Sequence, residues 1–449
     1  FSDLGCYGSE IPTPALDSLA SNGIRFSNFY NCARSCPSRA SLLTGLYPHK
    51  AGMGDMVYSE MNKKGLPGYQ SHLSNNTITI AELLKQNGYH TFMSGKWHLG
   101  DSLPDWPTNR GFDRYFGLIS GASNYFDIST SANAGTKRVL ASGNTAIRNT
   151  PNGFYMTKAI TDSALSMINS IQDEKPFFLY LSYTAPHWPL QAEQEDVEKF
   201  KGYYDGGWDE IRNRRLEKLN KCGIYSHKLT LSLGNENVPE WNLCEDKTTA
   251  ARKMEVYAAM VYRMDAEIGK LIKELKQKGL DQNTFIVFLS DNGACEEHGI
   301  FGFDRMKNNS KIGTQNSFVS YGASWANVSN TPFRYFKEKT YEGGIRNPAI
   351  VYWPALAKRK GSIVAKQTHL MDILPTILEL TGARYSQFFN GFKIPQMDGI
   401  SFLSDLKGKK AQAHKFLAWE HEGNKAIIMG NYKCVKHRNG IWEMYYLLK

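Results

Sequence analysis

Thr284-Phe285-Ile286-Val287-Phe288-Leu289 runs directly into Ser290-Asp291-Asn292-Gly293. A short apolar run stopped by polar turn formers predicts a strand buried on both faces, whose end delivers polar side chains. The same pattern recurs. Tyr89-His90-Thr91-Phe92-Met93 leads into Ser94-Gly95-Lys96-Trp97-His98-Leu99-Gly100, and Phe177-Phe178-Leu179-Tyr180-Leu181 leads into Ala185-Pro186-His187. Helical patterns lie between these runs. Thr13-Pro14 predicts a helix start and Gly23 its end. Ala250 to Leu280 is amphipathic, with Met260, Met264, Ile268, Leu271 and Leu275 at helical spacing. His369 to Thr381 predicts another helix, kinked or broken at Pro375.

Strands alternating with helices predict an α/β fold, with a doubly wound, mostly parallel central sheet flanked by helices. In such sheets ligands bind beyond the carboxyl ends of the strands. Lys96, His98, His187, Asp291 and Asn292 all fall there. After about Ala383 short strand candidates such as Lys425 to Met429 alternate with turns. That texture predicts residues 1–383 as the α/β domain and 384–449 as a small α+β subdomain built on an antiparallel sheet. The polar stretch from Gln191 to Thr249 reads as a loop-rich insertion near the site rim.

Composition sets outer limits. The chain has 449 residues, 41% hydrophobic and 21% charged, which suits a globular protein and argues against disorder. No apolar run is long enough to cross a bilayer, and Phe1-Ser2-Asp3-Leu4-Gly5 shows no signal-peptide pattern. The net charge of +10 favours anionic ligands in general. The densest basic stretch, Arg212 to Lys221, reads as a solvated helix face, and no zinc-finger or RNA-binding motif suggests a nucleic-acid partner. The seven cysteines form no Cys-x-x-Cys pattern, although Cys222 and Cys244 could close a loop under oxidising conditions.

The chemistry concentrates in Ser35-Cys36-Pro37-Ser38-Arg39-Ala40-Ser41-Leu42-Leu43-Thr44-Gly45. Pro37 suits a first helical turn and Gly45 a helix end, so Ser35 sits at a helix N-terminus, where free N–H groups favour an anion. Arg39, about a turn away, can bring a planar cation to the same place. On those grounds alone Ser35 reads as an ordinary capping serine rather than a catalyst.

The string resembles the signature of the formylglycine-dependent sulfatases: Cys or Ser, any residue, Pro-Ser-Arg, three residues, then Leu-Thr-Gly. Ser94 to Gly100 resembles the family's second signature. Ala185-Pro186-His187, Ser290 to Gly293, and Lys337 before Thr340-Tyr341-Glu342-Gly343-Gly344-Ile345-Arg346 extend the likeness over nearly the whole chain. Val319 to Gly322 and Asn330 to Arg334 look most like bacterial arylsulfatases and carbohydrate sulfatases, within the alkaline-phosphatase-like superfamily.

The resemblance implies a hydrolase of sulfate monoesters on a glycan or an aryl alcohol. It implies that a maturase converts Ser35 to formylglycine, whose hydrate attacks sulfur, with Cys36 a bystander. Calcium would be held by Asp291, Asn292 and residue 35. Arg39 would stabilise the diol, while Lys96 and Lys337 hold the sulfate oxygens. His187 would protonate the leaving group, and His98 would take the proton that lets sulfate depart. The family's apolar strand ending in Asp-Asp, the other half of the metal site, is absent from this sequence, and Asp3 is no substitute. Asp291 and Asn292 alone should bind metal poorly. Arg110 and His421 are candidate substrate contacts at the rim. His298 and His369 read as structural, and Glu342 as a brace for its Gly-Gly turn. The family implies a periplasmic or secreted setting. The competing readings are a phosphoester or phosphonate hydrolase of the same superfamily, and a non-catalytic relative that binds sulfated glycans.

Overall fold

A computed structural model describes residues 1–130, 138–234, 237–409 and 411–447. Sixteen strands are described: β1 (Ile24–Tyr30), β2 (His90–Gly95), β3 (Arg114–Leu118), β4 (Leu140–Ser142), β5 (Thr145–Ile147), β6 (Phe177–Ser182), β7 (Ile286–Leu289), β8 (Arg346–Tyr352), β9 (Ser362–Val364), β10 (Thr368–His369), β11 (Phe388–Phe389), β12 (Phe392–Lys393), β13 (Leu417–His421), β14 (Asn424–Met429), β15 (Tyr432–Lys436) and β16 (Trp442–Tyr446). One sheet has the order β10-β1-β8-β7 with β9 also on β1; a second has the order β5-β4-β3-β2-β6. The strands predicted around Tyr89, Phe177 and Thr284 form as β2, β6 and β7.

The expectation of a mostly parallel sheet requires correction. β2 pairs in parallel with β3 and β6, and β1 with β9 and β10. However, β8 runs antiparallel to both β1 and β7, and β4 antiparallel to β3 and β5. The central sheets are therefore mixed. Helices flank both faces. Along β8, Ile350 joins a core with the helices Met156–Asn169 and Lys247–Gln277. Its neighbours Ala349 and Val351 join another core with the helices Ser35–Thr44, Ile80–Gln86 and Ile373–Thr381. Alternate side chains on one strand thus enter opposite layers.

Among the described strands, β6 pairs only with β2 and β7 only with β8. A cavity of about 890 Å³ separates their free edges. Leu179, Leu181, Val287 and Leu289 line it, together with Lys96 and Asp291.

Local details qualify the sequence reading. Pro375 is the third residue of Ile373–Thr381, where no intrahelical partner is required for its nitrogen, so it starts the helix rather than kinking it. The supposed loop region after Gln191 contains the helix Gly207–Lys221. That helix is not simply a solvated basic face. Arg215 is 0% exposed and pairs with Asp3 at 2.6 Å and Glu10 at 2.7 Å, because Ile211, Arg215 and Leu219 share its inward side. All seven cysteines are free, including Cys222 and Cys244. The strands β13 to β16 form the expected antiparallel sheet. Leu417, Trp419 and Ile428 pack it onto Tyr30, Ala33 and Ile345, so it abuts the loop before Ser35. No described helix is long and apolar enough to cross a membrane.

Candidate active site

Ser35 opens the helix Ser35–Thr44, which Gly45 closes in the left-handed conformation at φ 68°. Only 2% exposed, Ser35 donates from Oγ to Asn292 Oδ1 at 3.1 Å and accepts from Lys96 Nζ at 3.3 Å. One turn on, Arg39 grips Asp291 through Nε at 3.0 Å and through its NH2 group at 2.9 Å. Its NH1 group donates to the Lys96 carbonyl at 2.7 Å and to Tyr180 Oη at 3.3 Å. The ends of β2, β6 and β7 and the start of one helix therefore meet at a single point.

Two polypeptide turns then deliver the histidines. His98 takes φ 61°, with its nitrogen bonded to the Ile119 carbonyl at 2.9 Å. Gly121 lies against its ring: a Cβ there would come within 2.4 Å of Cε1. His187 directs Nδ1 to the Trp188 carbonyl at 2.8 Å. A carbonyl only accepts, so Nδ1 carries the proton and Nε2 accepts from Lys337 Nζ at 3.3 Å.

The cations are tightly managed. Burial, with Arg39 next, brings Lys96 down to about 7. Burial likewise holds His98 well below the ordinary imidazole range, aided by Lys96 and Arg39. His187 is lowered by burial and then by Lys337. Burial opposes the charge on Lys337, but Cys295 and Glu297 outweigh it and raise its pKa. Asp291 is similar in reverse: burial favours its neutral acid, yet Arg39 and Lys96 hold it well below the usual carboxylate range. At neutral pH the site thus presents neutral imidazoles, charged Arg39 and Lys337, and an ionised Asp291, which suits an oxyanion.

Ser35, Arg39, Lys96, Asp291 and Asn292 are joined by hydrogen bonds, and His187 by another to Lys337. The His98 ring is buried near Lys96 and Arg39, with its Nδ1 unbonded among the described residues. Sequence reasoning missed Glu297 and Arg34. Glu297 Oε1 lies 3.0 Å from Lys337 Nζ and 3.2 Å from the NH1 group of Arg34, while Oε2 accepts from Trp188 Nε1 at 2.9 Å. Nothing local in Cys295-Glu296-Glu297-His298 distinguished that carboxylate; its partners are distant in sequence. Two expected rim contacts need correction. Arg110 is 8% exposed and committed to Glu82 at 3.0 Å and to the Thr77 and Leu73 carbonyls. Polar loop atoms inside the fold required that cation. His421 is 1% exposed beneath the β13–β14 turn, so it does not stand open at a rim. His369 caps a helical turn by accepting from Met371 N at 3.2 Å. Glu342 reaches beyond its own turn, holding Arg346 at 3.1 Å and Lys433 at 2.7 Å. Asp3 pairs with Arg215 and accepts from Tyr257 Oη at 2.7 Å.

Comparison with known proteins decides the family. The sulfatase family model matches residues 1–383. The chain belongs to the sulfatase family. It is a sulfuric ester hydrolase of the alkaline-phosphatase-like superfamily. An arylsulfatase of Klebsiella aerogenes is 38% identical over 430 residues, covering 92% of this chain and 91% of that protein. An uncharacterized sulfatase of Schizosaccharomyces pombe is 34% identical, covering 99% and 85% respectively. Among solved structures, Ps i-CgsB bound to k-i-k-neocarrahexaose matches with a TM-score of 0.70 and 27% identity, over 100% of this chain and 83% of that one. The sulfatase therefore shares its fold with an oligosaccharide-bound relative as well as its sequence with an arylsulfatase.

Proposed function

We propose that this sulfatase removes sulfate from a sulfated carbohydrate, with Ser35 matured to formylglycine. The observation that carries the reading is the setting of Ser35: a helix start, with Asn292 at 3.1 Å, Lys96 at 3.3 Å and the Arg39–Asp291 pair one turn on. The carbohydrate preference is supported by the likeness to Ps i-CgsB, which was solved with k-i-k-neocarrahexaose.

Formylglycine as its hydrate supplies two hydroxyls on one carbon, one to attack sulfur and one whose deprotonation expels the sulfate. The encoded residues do the rest. Lys96 and Lys337 bind the non-bridging oxygens and offset charge that grows in the transition state. Arg39 orients residue 35 and is itself fixed by Asp291. His98, buried and neutral, takes the proton from the second hydroxyl. His187 gives its proton to the departing oxygen. In the free site it is neutral; the negative charge of a bound ester favours its imidazolium.

Calcium is the family's expected ion. Asp291 and Asn292 are hard oxygen donors of the right kind. Yet Asp291 is shared with Arg39 and Asn292 with Ser35, and calcium takes about six to eight oxygens. The described residues form an incomplete set, so no step above depends on the ion. A secreted or periplasmic setting and residues 384–449 as a separate subdomain remain part of this proposal.

Rates on a panel of defined sulfated saccharides, an aryl sulfate and an aryl phosphate test the reading. Turnover of one saccharide, with aryl sulfate well ahead of aryl phosphate, is expected. Preference for the phosphate would favour a phosphoester hydrolase. Tight glycan binding without turnover by matured protein would favour a binding relative.

A further inference from the structure

The turn between β13 and β14 is made by Glu422 and Gly423, both left-handed at φ 47° and 82°. Asparagine or glycine commonly fills the first of these positions. Here the turn places a carboxylate over His421. Facing them is Asp55, from the loop that follows the Ser35 helix. One donor atom from each of Asp55, His421 and Glu422 lies within 4.8 Å of the others.

The arrangement of His421 is the informative part. It is 1% exposed, and Asp55 is 4% exposed. Nδ1 faces the Gly54 carbonyl at 3.4 Å, so that nitrogen carries the hydrogen. Nε2 then presents its lone pair. It lies 3.6 Å from Glu422 Oε1, beyond hydrogen-bonding distance, and has no partner among the described residues. Asp55 also accepts from Met56 N at 2.7 Å and from Ser59 Oγ, which fixes its carboxylate in place. Among the described residues, no ion pair joins a lysine or arginine to Asp55 or Glu422; the cation acting on His421 is Arg34, which is itself paired with Glu297 and Glu338. The other acidic cluster, Glu193, Glu195 and Asp196, differs on this point: Arg263 bridges it, at 2.8 Å to Glu195 and 2.6 Å to Asp196.

An imidazole lone pair and two carboxylates are all acceptors. Met56 and Ser59 donate to Asp55, but the buried Nε2 of His421 has no donor among the described residues, a cost that a cation joining the three would offset. An imidazole whose other nitrogen donates to a backbone carbonyl is the usual posture of a metal-bound histidine. We propose that Asp55, His421 and Glu422 form a second metal site, for a zinc-class divalent cation. The mixed nitrogen and oxygen set suits such an ion, whereas calcium prefers oxygen alone in larger number. The site lies outside the Asp291–Asn292 pair. It would tie the C-terminal sheet to the loop after the Ser35 helix.

The test is calorimetric titration of zinc ion into protein stripped with chelator and then saturated with calcium. One zinc site per chain that survives excess calcium is expected. It should be lost in His421→Ala and weakened at least about tenfold in Glu422→Gln. It should persist in Asp291→Asn. Glu422 is exposed at a turn, so Glu422→Gln remains decisive if His421→Ala fails to fold. Zinc binding no stronger than in the two variants, or no binding at all once calcium is present, would overturn the proposal.

Discussion

Lys337 donates to two groups. Glu297 at 3.0 Å favours its charge, and His187 Nε2 accepts from it at 3.3 Å. Glu297→Gln keeps the shape and removes the negative charge, so the Lys337 pKa must fall. The titration of Lys337, followed by NMR at its Nζ, should then move to lower pH by roughly one pH unit. An unmoved titration would mean that Glu297 does not hold the charge on Lys337. His187→Ala should cost about a hundred- to ten-thousand-fold on an alkyl sulfate and much less on an activated nitrophenyl sulfate, because protonation matters most when the departing oxygen is basic. Equal losses on the two would remove His187 from that role. The residues that matched a motif, such as Ser35, Lys96 and Lys337, were legible in the sequence. Glu297 and Arg34 were not, since their meaning lies in each other and in Lys337, across contacts that no local pattern records.

At the scale of elements, the strands β2, β6 and β7 were legible because each is a short apolar run stopped by polar residues. Their partners were not. Nothing in Arg346 to Tyr352 says that β8 will run antiparallel between β1 and β7. The turn that holds His98 depends on a glycine equally invisible to motif reading. A methyl group at Gly121 would meet the His98 ring at 2.4 Å, in a place too buried to yield. Gly121→Ala should therefore lower kcat about a hundredfold, as misplacement of a catalytic group by roughly 1 Å can do. The same overpacking should lower stability by about 1–3 kcal/mol, so activity is compared at a temperature where both proteins stay folded. Full activity in that variant would show that the ring can shift without consequence.

At the scale of the whole molecule, the basic stretch of the helix Gly207–Lys221 misled because net charge says nothing of which side chain turns inward. Arg215 is buried with Asp3 and Glu10, and so joins the beginning of the chain to a helix some two hundred positions away. Arg215→Ala would leave two carboxylates without their cation and should destabilise the fold by about 3–5 kcal/mol, read by denaturant unfolding. A loss below about 1 kcal/mol would mean that water replaces the guanidinium cheaply. The same assembly of distant pieces converges on Ser35, and one experiment probes it directly. The peptide spanning Asn31 to Arg39 is weighed in preparations from hosts with and without a serine-type maturase, and each preparation is assayed on a sulfate ester. Activity should track the fraction of chains lighter by about 2 Da at residue 35, the loss of two hydrogens that makes the aldehyde. High activity from wholly unmodified Ser35, or undiminished activity in Ser35→Ala, would contradict it.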